Sequence, residues 1–176
     1  MEKTKALALS AVLVALALAL SYLERLFPLQ LLIPLPGVKL GLANIVTMMA
    51  LYFLSAKPAF AILVVRCLLG SLFGGSISGL AMSISGGICA FVVMALAKRL
   101  PVFSIYGVSI LGAAAHNTGQ VLAAVALLYS LHSFAYLPFL LFVSIGSGFL
   151  TGAVSAAGFR AFGAIFSKAV SPSPKR

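Results

Sequence analysis

Long apolar runs recur along the whole sequence, and few charged residues separate them. A helix needs about 20 predominantly apolar residues to cross the roughly 30 Å of hydrocarbon in a bilayer. Six runs of this order are present, of which the second and third are short or interrupted; they lie at approximately residues 6–23, 41–54, 59–73, 79–97, 104–131 and 137–166. They predict an all-α integral membrane protein: one transmembrane domain over residues 1–176, arranged as a six-helix bundle.

The composition supports a membrane location and argues against nucleic-acid binding. Hydrophobic residues make up 62% of the chain and charged residues 8%, and the mean hydropathy is +1.20. Twelve lysines and arginines stand against two acids, Glu2 and Glu24. The basic residues are scattered between apolar runs, at both termini and in alternate connections, which is a topology signal. We expect both termini in the cytoplasm, with Arg25 and Lys39 as exceptions on the outer side.

A few polar residues fall within the predicted membrane segments. Such residues are costly in lipid and are therefore candidates for function. Together with Lys39, at the entrance of the second run, we predict that they line one substrate site opening outward. The cations would bind an anionic group by charge-assisted hydrogen bonds, and the other side chains would orient the rest of the ligand. The predicted substrate-binding residues are Lys39, Asn44, Arg66, His116, Asn117 and Gln120.

Each of these residues also has an ordinary structural explanation. Asn44 can cap a helix start, and Arg66 can extend toward the interface or bind backbone carbonyls. Lys39 can serve as an interfacial anchor. The polar residues of the fifth run can form hydrogen bonds between helices. The joint pattern, rather than any single residue, favours a ligand pocket closed by the connection between residues 24 and 39.

The absence of aspartate limits the chemistry available to this chain. Magnesium-dependent diphosphate chemistry requires clustered carboxylates, and a hydrolase triad requires an acid to orient its histidine. The sequence also contains no G-x-x-x-x-G-K-[ST] phosphate loop. We therefore expect no catalytic residue, no metal site, no cofactor and no autonomous enzymatic activity. If the protein transports a ligand, another subunit must supply the energy.

Alanines repeat at four-residue spacing on the first helix, at Ala11, Ala15 and Ala19. Small residues at this spacing let helices approach closely in lipid. The ridge fits intramolecular packing or docking of a partner subunit.

Three segments carry a family resemblance: LERLFPLQLLIPLPGVKLGLANIVTMMALY, VVRCLLGSLFGG and SIYGVSILGAAAHNTGQVLAA. They resemble the membrane family called heptaprenyl diphosphate synthase component I, also known as the Gx transporter family. That family in turn resembles the S components of energy-coupling factor transporters, six-helix substrate binders of the bacterial plasma membrane. The resemblance implies a transmembrane coupling subunit, docked on Ala11, Ala15 and Ala19, and two ATPase subunits as partners, besides membrane lipids.

The synthase name conflicts with a chain that lacks aspartate-rich metal sites. It leaves open a second hypothesis, in which the protein is a membrane accessory that recruits a soluble enzyme of isoprenoid or quinone metabolism. The identity of the ligand stays open at this point.

Overall fold

The computed structural model describes residues 2–24, 26, 39–74 and 77–170, with side chains described from residue 4 and up to residue 163. Within these ranges the chain is helical and contains no strand. The helices are α1 (Glu2–Glu24), α2 (Asn44–Phe53), α3 (Ala56–Gly74), α4 (Ile77–Ala97), α5 (Ile105–Leu128) and α6 (Leu137–Val170). A 3₁₀ helix, Leu131–Tyr136, precedes α6.

Backbone geometry explains where two helices differ from the runs in the sequence. Gly41 has a positive φ of 84°, so α2 begins at Asn44 rather than at residue 41. Tyr129 adopts a left-handed conformation with φ 50° and ends α5 at Leu128, before the 3₁₀ helix. At its other end, α5 is capped by Ser104, whose side chain accepts a hydrogen bond from the N–H of Gly107.

Five helices are long and apolar enough to cross a membrane, which makes the chain an all-α membrane protein. They are all the helices except α2, which has ten residues. At 1.5 Å per residue, α2 extends about 15 Å, roughly half the hydrocarbon thickness. One end of α2 therefore lies inside the bundle rather than at its surface.

The short helix α2 lies at the centre of the bundle. The five long helices form a ring in the order α1, α3, α4, α5, α6, in which each contacts the next and α6 contacts α1. Helix α2 contacts all five, and residues 44–51 are all buried. This central position explains why its sequence is apolar on every side.

Charged side chains from the ring meet both ends of α2. At the start, Oε1 of Glu24 accepts a hydrogen bond from the N–H of Leu42 at 2.7 Å. At the end, Nζ of Lys98 donates to the carbonyl of Leu51 at 2.8 Å and lies 4.5 Å from the ring centre of Tyr52. Partial burial lowers the pKa of Lys98 below its usual value. An acid at the N-terminus and a cation at the C-terminus both complement the dipole of the helix.

Candidate functional site

Polar side chains from the surrounding helices meet at the N-terminal end of α2. Arg66, in the middle of α3, is 5% exposed, and its Nη2 donates to Oδ1 of Asn44 at 3.2 Å. Ala43 holds the N-cap position of α2, and Asn44 is the first residue of the helix itself. The structure therefore pairs the Asn44 side chain with Arg66 of α3 and places Ala43, rather than Asn44, at the capping position.

The carboxylate that caps α2 comes from α1. Glu24 is the last residue of α1 and is 6% exposed, and besides the hydrogen bond from Leu42 it interacts with the backbone of Gly41. The charges of Lys39 and Arg66 also act on this carboxylate. Our sequence interpretation placed Glu24 at the start of the first outer connection and did not relate it to Arg66. The one indication in the sequence that Glu24 has a special role was the scarcity of acidic residues, since the chain has only two.

Lys39, at the entrance of this region, forms hydrogen bonds with residues of both α4 and α5. Its Nζ donates to Oγ of Ser83 at 3.0 Å, and its backbone N–H donates to Oε1 of Gln120 at 3.1 Å. The amide nitrogen of Gln120 lies 2.8 Å from Nε2 of His116, one turn away on the same face of α5. Five of the six predicted substrate-binding residues therefore come together. We call them, with Glu24 and Ser83, the polar cluster; its members are Glu24, Lys39, Asn44, Arg66, Ser83, His116 and Gln120.

Glycines let the parts of the polar cluster approach one another. A Cβ atom on Gly41 would lie 2.9 Å from Nδ2 of Asn44 and 3.0 Å from Cδ2 of His116. On α4, a Cβ on Gly86 would lie 2.9 Å from Nδ1 of His116, and one on Gly87 would lie 3.5 Å from Nη2 of Arg66. His116 and Arg66 thus contact neighbouring positions of α4.

Some buried atoms of the polar cluster have no hydrogen-bond partner within the described ranges. They are Nε of Arg66, Nδ2 of Asn44 and Nδ1 of His116. The backbone of Gly86 interacts with the His116 ring, although the contact falls short of the geometry of a full hydrogen bond to Nδ1. Buried polar groups are almost always paired, so such atoms indicate a place for a bound molecule or water.

Asn117 does not join the polar cluster. Its Nδ2 donates to the carbonyl of Leu140 at 3.0 Å and to Oγ of Ser144 at 2.8 Å, both on α6. Nearer the C-terminal end of α6, Ser109 and Thr151 form a second link to α5 at 2.7 Å. The structure therefore places Asn117 in the α5–α6 contact, as the interhelical explanation anticipated.

The alanine ridge of α1 faces away from the bundle. Ala11, Ala15 and Ala19 are exposed, whereas Leu13 and Ala17 are buried at 2% and 0%. Of the helices with membrane-spanning length, α1 has the smallest buried share, 11%. The ridge is thus an apolar surface that is exposed in the part of the chain that the structure describes.

The expected closing segment falls largely outside the described residues. Of the connection between residues 24 and 39, the structure describes Glu24, Leu26 and Lys39. Arg25, which we expected on the outer side, also lies outside the described residues. In the ranges that are described, no three His, Cys, Asp or Glu residues are grouped to hold a metal ion.

Comparison with known proteins identifies one family. The family model described as heptaprenyl diphosphate synthase component I matches residues 13–157, which include every member of the polar cluster. Neither the curated proteins nor the solved structures gave a significant match to the chain.

Proposed function

The chain belongs to the heptaprenyl diphosphate synthase component I family, and from its polar cluster we propose that it is a substrate-binding membrane subunit that captures a small anionic metabolite for ATP-driven uptake. In this proposal both termini are cytoplasmic, and the ligand enters from the outer side, where Lys39 begins the approach to α2. The substrate would be a vitamin or an isoprenoid-related compound.

The observation that carries the proposal is the charge imbalance of the polar cluster, in which Arg66 is buried and Lys39 partly buried. Lys39 and Arg66 bring two cations, and Glu24 is the acid that interacts with both. The other acid of the chain, Glu2, is at the opposite end of the 23-residue helix α1, roughly 33 Å away. Buried charge in a membrane is unfavourable unless it is balanced. An anionic ligand would supply the missing negative charge.

The exposed ridge on α1 supports the partner part of the proposal. Ala11, Ala15 and Ala19 offer a smooth surface against which a transmembrane helix can pack closely. A coupling subunit docked there would connect the chain to ATPase subunits. In this arrangement the ATPase subunits supply the energy for uptake, because the chain has no phosphate loop with which to hydrolyse ATP itself.

We propose no catalytic activity for the isolated chain. Its two acids lie at opposite ends of α1 and cannot form the carboxylate pair that metal-dependent prenyl transfer needs. The family description names one component of a synthase, and it supports a second candidate function: a membrane accessory that holds a soluble prenyl-transferring component. In that role the polar cluster would stabilise the bundle and bind no metabolite.

Co-purification separates the two candidates. The tagged chain would be extracted from its native membrane in mild detergent, and the proteins retained with it would be identified. A transmembrane subunit together with ATPases would support the uptake proposal. A soluble prenyl-transferring enzyme, retained without ATPases, would support the accessory role and contradict the uptake proposal.

A further inference from the structure

The hydrogen bonds of Gln120 have a direction that follows from the chemistry of their donors. The backbone N–H of Lys39 can only donate, so the Gln120 atom that faces it, at 3.1 Å, is the acceptor Oε1. The other amide atom, Nε2, is then a donor, and it lies 2.8 Å from Nε2 of His116. Nε2 of His116 must therefore accept. A neutral imidazole that accepts at Nε2 carries its proton on Nδ1.

The same reasoning fixes the amide of Asn44. Nη2 of Arg66 can only donate, so the Asn44 atom at 3.2 Å is the acceptor Oδ1. The remaining atom, Nδ2, carries two N–H groups. It has no partner within the described part of the chain.

All three partnerless atoms of the polar cluster are consequently N–H donors: Nδ2 of Asn44, Nε of Arg66 and Nδ1 of His116. None of the nearby acceptor atoms is paired with them: Oδ1 of Asn44 accepts from Arg66, Oε1 of Gln120 accepts from the N–H of Lys39, and Oε1 of Glu24 accepts from the N–H of Leu42. The donors belong to side chains that contact one another or lie against Gly86 and Gly87 of α4. This part of the bundle therefore presents three buried N–H donors that no acceptor of the described chain satisfies.

Water is a poor partner for such a group of donors. A water molecule accepts from two donors at most, and it brings two O–H groups that need acceptors of their own. A deprotonated oxyanion has several lone pairs and no donor to satisfy. In a buried site, hydrogen bonds to a charged acceptor are also stronger than those to a neutral one.

We propose that the polar cluster binds an oxyanion, the carboxylate or phosphate group of its ligand, and that Gln120 is the positioning residue that keeps His116 in the Nδ1–H form as one of the donors. This inference rests on the proposed function and specifies the chemical group that the site selects. A neutral ligand, or one that presents a hydroxyl or ammonium group at this position, would leave the donors unmatched.

Nitrogen NMR can test the inference directly, because the chain has only two histidines. His132 is exposed and hydrogen-bonded to Ser130, so His132→Asn leaves His116 as the single labelled imidazole. The protein, labelled with ¹⁵N-histidine, would be purified without added anions. Inorganic phosphate and succinate would then be titrated separately, to distinguish a phosphate site from a carboxylate site.

We expect the free protein to show a protonated Nδ1 and an unprotonated Nε2. One of the two anions should move the Nδ1 signal more than the Nε2 signal. Gln120→Glu should transfer the proton to Nε2, because a carboxylate accepts from both of its neighbours, and should weaken anion binding about tenfold or more. Gln120→Met, which has similar volume and no polar group, serves as a second variant if the buried carboxylate impairs folding; it should lose the single fixed tautomer.

A proton on Nε2 in the free protein, or on both nitrogens, would overturn the inference. So would a tautomer that both Gln120 variants leave unchanged. If an anion stabilises the protein against heat but does not shift the Nδ1 signal, the inference fails and the proposed function stands. If neither anion stabilises the protein nor shifts the signal, the oxyanion assignment fails; the proposed function fails with it only if the natively purified protein also carries no metabolite.

Discussion

The carboxylate of Glu24 binds the backbone N–H of Leu42 at 2.7 Å and so connects the end of α1 to the start of the central helix α2. One helix carries both the exposed alanine ridge and this buried carboxylate. A displacement of α1 would therefore act directly on the polar cluster.

Removal of Glu24 should destabilise the protein. Glu24→Ala would leave the N–H of Leu42 unpaired and remove the acid that acts on Lys39 and Arg66. Breaking a buried charge interaction costs about 3–5 kcal/mol. We expect a clearly lower melting temperature in detergent for Glu24→Ala. Glu24→Gln, which retains an acceptor for Leu42, should lose less. Glu2→Ala removes the other acid and serves as the control. Equal melting temperatures for Glu24→Ala and the control would contradict this role.

Gly41→Ala should disrupt the start of α2. The positive φ disfavours a side chain by about 1 kcal/mol or more, and the new Cβ would press on Asn44 and His116 at about 3 Å. We expect reduced stability and weaker ligand retention. The matched control is Gly146→Ala, because a Cβ there meets no atom within 4 Å. A Gly41→Ala protein as stable as this control would show that the close approach is not needed.

Ala15→Leu should block partner docking without affecting the fold. Ala15 is exposed at the centre of the ridge, so a larger side chain can be accommodated at the surface but would prevent close approach of another helix. We expect unchanged melting and loss of the co-purified transmembrane partner. Ala157→Leu, at an exposed position of α6, should retain it. Retention by both variants would exclude the ridge as the docking surface.

Asn117→Leu should weaken the contact between α5 and α6 rather than the ligand site. It removes two hydrogen bonds to α6, which corresponds to about 1–3 kcal/mol. Lower thermal stability with nearly unchanged ligand affinity is the expected result, measured by melting and by equilibrium binding of whichever ligand co-purifies. A loss of affinity as large as that of Arg66→Ala would return Asn117 to the binding site.

The membrane fold follows from the apolar runs, because in lipid only helices satisfy every backbone group within a single segment. The grouping of His116 with Gln120 was also predictable, since residues four apart share a helix face. Asn117 is rotated about 100° from His116 on the same helix and therefore meets α6 instead. The spacing of these residues in the sequence could not show which face of α5 lies at the ligand site.

The role of Glu24 could not be predicted from local sequence. It lies 18 residues from Leu42 and 42 from Arg66 along the chain, and they meet only because α2 starts inside the ring of long helices. That start depends on the left-handed backbone of Gly41, which the PGVKLG segment did not reveal by itself. Tertiary placement thus gave Asn44 a different hydrogen-bond partner from the one its capping preference suggested.

The most direct test of the account is native mass spectrometry of the gently purified protein, followed by denaturing extraction to identify any small molecule bound to it. The account predicts a stoichiometric anionic metabolite on the wild-type chain and on Arg160→Ala, which removes an exposed arginine. The metabolite should be absent from Arg66→Ala and reduced in Arg66→Lys, which retains the charge but loses the guanidinium geometry. A wild-type protein that carries only lipid, or a folded Arg66→Ala protein that keeps the metabolite, would contradict the account.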